Sequence, residues 1–316
     1  MISIIIPTYN ESINNVSEAI NSVLREKKIK LEIIVILDNP ENTELKRYLE
    51  LLHVKNPEIR FFINENNKGV AETLNRGIRL SKGKYIARLD ADDVNIPGRL
   101  KKQAQYLDNH KDISMVTGNC IYIDENGNEF GKKSRIPENP EKLLPYGSTI
   151  IHSSVMYRRS VVEDLGGYRK LLSSQDYDLW LRMIDKSYKI YSFNEYLVKY
   201  RIRDNSITVS ESLRLMLTER YIRELRKERL KKGCDSYSYN NYIEFLIDNN
   251  YMDPENKEVF NESAKLFNTS INYLKNKKII LSLKFLYYSI KKDKRILERL
   301  KNMTIYYYKK QLYYSK

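Results

Sequence analysis

The sequence predicts an α/β protein: a doubly wound mixed sheet over about residues 1–210, followed by a helical region over 211–316. Three observations carry this reading. Short, nearly pure β-branched runs such as Ile2 to Ile6 suit strands covered on both faces, as in a parallel sheet. Helical segments alternate with these runs, which favours crossover connections over hairpins. The strand signal disappears from about Ser212 onward.

Taken in order, Ile2 to Ile6 is the first strand, ended by Pro7. Asn10 to Ser12 can cap a helix that runs to about Arg25 and turns Ile13, Val16, Ile20, Val23 and Leu24 inward. Glu32 to Leu37 repeats the buried-strand pattern. A helix from about Asn42 to Leu52 and a third strand at Ile59 to Ile63 follow. Asn67 to Gly69 makes a turn before a helix through Leu74 and Ile78, which closes at Ser81 to Gly83. Tyr85 to Leu89 is the fourth strand. Beyond Asp93, Ile96 to Leu100 opens a helix, and Ser114 to Ile123 alternates like a strand pair ending in the Asp124 to Gly127 turn. His152 to Arg159 reads as a strand and Leu165 to Tyr168 as a turn. Asp176 to Ile184 reads as a helix with Leu179, Trp180 and Met183 on its apolar face. After a boundary near Ser210, helices are expected near 212–232, 240–249, 257–277 and 281–301.

A chain of 316 residues can bury one large core or two modest ones, and two is the commoner outcome. Its 41% hydrophobic and 30% charged residues are those of an ordinary soluble protein. Met1 leads straight into ISIIIP, without the basic start and cleavage site of a secretion signal. The longest apolar candidate for a membrane span, Ile279 to Ile290, is interrupted by Lys284. A cytoplasmic location is expected. Cys120, Cys234 and three histidines are too few for a disulfide framework or a four-thiolate zinc site.

The densest chemical signal is YIARLDADD, Tyr85 to Asp93, which places Asp90, Asp92 and Asp93 at a strand end. Such a cluster repels itself unless something positive is held there. Asp90 and Asp92 share one face of an extended backbone, and carboxylate oxygens suit a hard divalent ion such as Mg2+ or Mn2+, itself often bound to a diphosphate. Pro7 to Glu11, Asp38 and Asp90 to Asp93 all fall at the carboxyl ends of strands, where ligands bind in open α/β sheets. A dinucleotide dehydrogenase is excluded because the first strand-to-helix turn reads PTYNES and lacks the glycines a pyrophosphate needs.

In order along the chain stand IIIPTYNE, EIIVILDN, NKGVAETLNRGI, LDADDVNIPGRL, HSSVMYRR, SQDYDLWLR and YRIRDNSIT. With these seven stations the chain resembles the family 2 glycosyltransferases of the GT-A fold over about residues 1–210. The resemblance implies an inverting, metal-dependent enzyme that moves a sugar from a nucleotide-diphosphate donor, most simply a UDP-sugar. It implies that Asp92 ligates Mn2+ or Mg2+, and that Asp90 contacts the ribose or supports the metal shell, next to Ala91. Asp38 would hydrogen-bond the base and Tyr9 would pack on it, with Pro7, Thr8 and Glu11 shaping the pocket and Lys68 and Gly69 covering the donor. Asp176 would be the general base, at a helix N-terminus that keeps it ionised; Asp178 is expected to be a solvated or supporting acid. Residues 1–93 form the donor half and 94–210 the acceptor half in this reading.

Three departures stand out. Gln175 replaces an acid found beside the base in many relatives, Leu37 replaces an acid before Asp38, and Arg203 stands where a histidine is common. Arg203 cannot ligate a metal but can pair with phosphate. His152, with Gln175, Trp180 and Arg203, is a weaker candidate for the acceptor or diphosphate side, and a structural role for His152 is favoured.

Residues 271–316 carry 13 Lys and Arg against 2 Asp and Glu, so most of the net +14 lies there. Leu283, Leu286, Ile290, Leu297 and Leu300 recur at about helical spacing among lysines, and Tyr306 to Tyr308 and Tyr313 to Tyr314 follow. Two readings remain open for this tail. It lies on anionic lipid at the inner face of the plasma membrane, or it is a helical bundle docked on the catalytic domain or on a second copy of the chain. No nucleic-acid-binding signature accompanies the charge, so no nucleic acid partner is expected. The expected activity is sugar transfer to a saccharide, lipid-linked on a polyprenyl diphosphate, in capsule, O-antigen or exopolysaccharide synthesis. The alternative is a non-catalytic partner subunit that keeps the fold.

Overall fold

A computed structural model describes residues 1–26, 29–133, 136–202 and 211–315. Ser210, the expected boundary, and Arg203 lie outside the described residues. The chain divides into two compact units. One gathers Met1–Lys142, Thr149–Lys170 and Asp178–Arg203, and the other gathers Leu143–Ser148, Leu171–Tyr177 and Asp204–Lys316.

The first unit is built on a nine-stranded mixed sheet. Its strands are β1 (Ile2–Thr8), β2 (Leu31–Leu37), β3 (Ile59–Ile63), β4 (Tyr85–Arg88), β5 (Val94–Asn95), β6 (Ile113–Ile123), β7 (Glu129–Lys133), β8 (Met156–Arg158) and β9 (Lys189–Arg201). They run in the order β3-β2-β1-β4-β8-β6-β9-β5, with β7 paired to β6. β1 pairs in parallel with both β2 and β4, whereas β8 runs antiparallel between β4 and β6. This is the mixed, doubly wound sheet that the alternating pattern leads one to expect.

Both faces of the leading strands are covered. On one face Ile2, Ile4 and Ile6 meet Val16, Ala19, Ile20 and Val23 of α1 (Ile13–Leu24), with Leu45 and Leu49 of α2 (Thr43–Lys55) and Leu100 and Leu107 of α4 (Arg99–Asn109) in the same core. On the other, α3 (Val70–Leu80) approaches β1 so closely at Gly77 that a Cβ there would lie 2.6 Å from the Ile5 side chain. Each of these buried isoleucines contributes about 1.5–3 kcal/mol relative to exposure. Ser12 caps α1 by accepting from the Asn15 N–H at 3.2 Å, as expected from its position.

In the sheet unit two expectations need correction and one strand was missed. His152 to Arg159 is not one strand: His152–Ser154 is a 3-10 turn, closed by the Ser154 hydroxyl donating to the Ile151 carbonyl at 2.8 Å, and only Met156–Arg158 is extended before α5 (Arg159–Asp164). Ser114 to Ile123 is one long strand and not a pair; its hairpin partner β7 lies beyond the Asp124 turn. β9 was not apparent in the sequence at all. It carries Ser192, Asn194 and Glu195 in mid-strand, and its register against β6 shifts around Gly118 and Asn119, so no clean alternation survives.

The helix α6 (Gln175–Asp185) is followed, after β9, by the helices of the second unit: α7 (Ser212–Lys232), α8 (Tyr239–Asp248), α9 (Pro254–Lys275), α10 (Ile279–Lys292) and α11 (Ile296–Tyr314). Leu217, Ile222, Tyr242, Leu246, Phe260, Phe267 and Ile296 form its buried interior. α9 starts at an Asp253 cap with Pro254 in its first turn, three residues before the expected start. The expected helix 281–301 is two helices. Asp293 adopts an extended backbone and accepts from the Arg295 N–H at 2.8 Å, which breaks the helical run. α9 and α10 approach closely through serines: Ser263 donates to the Ser289 carbonyl at 2.7 Å, Ser289 donates back to Ser263 at 2.8 Å, and Ser270 donates to the Ser282 carbonyl at 2.8 Å.

Candidate active site

The end of β1 is organised by Glu11. Its carboxylate accepts from the Thr8 hydroxyl and from the Tyr9 N–H, both at 2.7 Å, so PTYNE closes into a compact turn after Pro7. That turn leaves the Tyr9 ring 42% exposed, a flat aromatic surface beside the strand end. Asn39 donates to Asn10 at 2.6 Å and ties this turn to the one that follows β2.

Asp38 is buried at the end of β2. One of its oxygens accepts from Asn64 at 2.6 Å and from the Lys68 N–H at 2.9 Å, and the other accepts from the Gly69 N–H at 2.8 Å. Asp38 therefore anchors the loop that carries Lys68 and Gly69. Gly69 has φ +81°, a conformation that disfavours any side chain, and both residues are exposed.

The acidic cluster is the most heavily engineered part of the unit. Asp90 accepts from the buried Arg88 guanidinium on one oxygen and from the Ser153 hydroxyl at 2.7 Å on the other, while its own N–H donates to Ser153 at 3.1 Å. Burial would raise its pKa, but the charge of Arg88, the neighbouring His152 and the Ser153 hydroxyl outweigh it and hold the carboxyl below its usual range. Ala91 is buried and Asp92 half-buried. Asp93 is buried, and burial together with the charges of Asp90 and Asp92 pushes its pKa well up. Its Oδ1 accepts from the Arg201 N–H at 2.8 Å.

Arg201, at the end of β9, is the residue that sequence reasoning missed. It is buried, its Nε donates to the Asp92 carbonyl at 2.8 Å, and one terminal nitrogen donates to the Asp124 and Glu125 carbonyls at 2.9 and 3.0 Å. The other pairs with Glu18 of α1 at 2.5 Å. One guanidinium thus clamps the backbone of the acidic loop to β6 and to α1. The available signal was its place in YRIRDNSIT, an arginine at a strand end in a chain whose acidic loop needs a counter-charge.

The 3-10 turn brings His152 to the same region. Its Nε2 lies 2.9 Å from the Tyr168 hydroxyl, and its ring is edge-on to Trp180 at 6.0 Å between centroids. Burial and the charge of Arg88 push the His152 pKa down to about 3, so the ring is neutral. Trp180 is wholly buried, tilted against Tyr157, and is a packing residue of the core. Asp178 is also buried and not solvated: Arg182 donates to it at 2.7 Å and Arg169 lies 3.5 Å away. Gln175 and Asp176 lie in the first turn of α6, within the second unit, each half-buried. Ser174 immediately before them has φ +54°, a strained conformation for a non-glycine residue. Arg203 lies outside the described residues.

Among the described residues, no three His, Cys, Asp or Glu side chains are grouped to enclose a metal ion. Asp90 and Asp92 still fit a hard divalent cation of the Mg2+ or Mn2+ kind, because such ions are often held through one or two carboxylates, with phosphate and water filling the other positions.

The profile described as "Glycosyl transferase family 2" matches residues 3–166. A glycosyltransferase of Methanocaldococcus jannaschii, itself uncharacterized, is 35% identical over 213 residues, 66% of this chain and 73% of that relative. The O-antigen biosynthesis glycosyltransferase WbnJ of Escherichia coli is 30% identical over 72% of this chain and 90% of its own length. The amylovoran biosynthesis glycosyltransferase AmsE of Erwinia amylovora is 28% identical over 64% of this chain and 76% of that relative. Among solved structures, residues 1–349 of S. aureus TarS in complex with UDP-GlcNAc superpose with a TM-score of 0.57 at 18% identity, covering 78% of this chain and 70% of that one. The fold is GT-A-like, with a helical C-terminal region. The chain belongs to glycosyl transferase family 2 and is a glycosyltransferase.

Proposed function

We propose that this enzyme moves a sugar from a nucleotide-diphosphate donor, a UDP-sugar, to a lipid-linked saccharide in the synthesis of a surface polysaccharide. The observation that carries this reading is the meeting of three stations at the carboxyl ends of the adjacent strands β2, β1 and β4: Asp38 with the Lys68–Gly69 loop, the Thr8–Glu11 turn, and the Asp90–Asp93 cluster. The solved relative bound to UDP-GlcNAc and the O-antigen and amylovoran relatives support donor and pathway class respectively.

In this mechanism the exposed Tyr9 ring packs on the base, Asp38 hydrogen-bonds it, and the Lys68–Gly69 loop that Asp38 anchors covers the donor. Asp90, kept ionised by Arg88 and Ser153, faces the ribose side or supports the metal shell, and Asp92 would hold Mn2+ or Mg2+. A bound divalent ion would supply positive charge against the diphosphate as it leaves. Asp176 accepts the proton of the acceptor hydroxyl. That oxygen then bonds to the anomeric carbon while the carbon–oxygen bond to the diphosphate breaks with its electron pair on UDP, which inverts the configuration. The strained Ser174 beside Asp176 supports a functional segment there, since such strain persists where the surroundings enforce it.

UDP release measured over a panel of UDP-sugars, with Mn2+ and then with EDTA, tests the reading. Release that requires metal is expected with at least one donor. No release with any of them, or release indifferent to chelation, overturns it.

A further inference from the structure

The serine bonds of α10 fix which of its faces is covered: Ser282 and Ser289 point at Ser270 and Ser263 of α9. The opposite face carries Ile280, Leu283 and Tyr287 at helical spacing, 84%, 61% and 61% exposed, with Ile279 at 60% beside them. Lys284 and Lys291, seven residues apart, lie on that same exposed side, Lys277 and Lys278 precede the helix, and α10 contains no Asp or Glu. An apolar stripe flanked by exposed lysines is costly in water. It is matched by a surface that is apolar below and anionic above.

We propose that α10 docks on an anionic lipid bilayer, with Ile279, Ile280, Leu283 and Tyr287 entering the headgroup boundary and Lys284 and Lys291 meeting lipid phosphates. Among the described residues, no helix is long and apolar enough to cross a membrane, so the contact is one of lying on the surface. A second copy of the chain fits this face less well. A two-fold contact would bring the lysines of two α10 helices together, and four side chains fall short of the ~800 Å² per partner of a stable interface. The docking is independent of the sugar-transfer chemistry, and its test reads membrane binding alone.

The test is co-sedimentation of the full chain with vesicles of phosphatidylcholine and phosphatidylglycerol, and with phosphatidylcholine alone. Binding to the anionic vesicles that weakens with salt is expected. The double change Lys284→Ala with Lys291→Ala should weaken it roughly 30-fold, about fivefold per lysine. The triple change Ile280→Ser, Leu283→Ser and Tyr287→Ser should abolish it with an unaltered circular dichroism melt, since all three side chains are exposed. Absence of wild-type binding, equal binding to neutral vesicles, or wild-type binding by both variants would overturn the proposal. So would a dimer in sedimentation velocity that the triple change dissociates while vesicle binding persists.

Discussion

Arg201 shows how one buried guanidinium can hold an acidic loop in place. Its guanidinium joins the Asp92 carbonyl, two carbonyls beyond β6 and Glu18, and four such bonds from one planar fork are beyond a lysine. Arg201→Met should destabilise the protein by about 1–3 kcal/mol in denaturant unfolding, because it leaves part-buried carbonyl acceptors unpaired, whereas the exposed Glu18 can turn to solvent. Arg201→Lys should recover part of that stability but leave the KM for donor raised. Asp38 and Asp90 were legible in the sequence as acids at strand ends. Their distant partners were not, because Asn64 comes to Asp38 and Ser153 to Asp90 only once the sheet has formed. His152 makes a pH prediction. Its folded pKa of about 3 lies below the ordinary 6.5, so the unfolded chain binds the extra proton and stability falls as pH drops below about 6.5. With its partial exposure discounted, the loss by pH 5 should be roughly 1 kcal/mol, and His152→Gln should flatten that slope in unfolding curves.

At the scale of elements, the parallel strands were readable because burial on both faces leaves an almost unbroken apolar run, as in Ile2 to Ile6. β9 was not, since its mid-strand polar residues and register shifts erase any period. The α10–α11 break was hidden for another reason: leucines on both sides of Asp293 keep a near-helical spacing that the Asp293–Arg295 contact interrupts. Serines at 263, 270, 282 and 289 carry no hydrophobic signal, yet they set how closely α9 and α10 approach. Ser263→Leu should therefore overpack that contact and lower stability by about 1–3 kcal/mol in denaturant unfolding.

For the whole molecule, the positive charge is concentrated in residues 271–316, whereas the acidic cluster that motivates a metal lies in the other unit. An excess of cations in residues 271–316 and a carboxylate cluster in the sheet unit suit two separate tasks, surface contact and diphosphate chemistry. Replacing Asp92 with Asn should therefore raise the Mn2+ concentration needed for half-maximal UDP release at least about tenfold while leaving vesicle binding unchanged. The assignment of Asp176 as base is tested most directly by comparing wild type with Asp176→Asn for acceptor-dependent UDP release, alongside donor binding by calorimetry. Transfer should fall by about 10²–10⁴-fold with donor affinity nearly intact. Transfer by Asp176→Asn within a few fold of wild type would contradict the assignment.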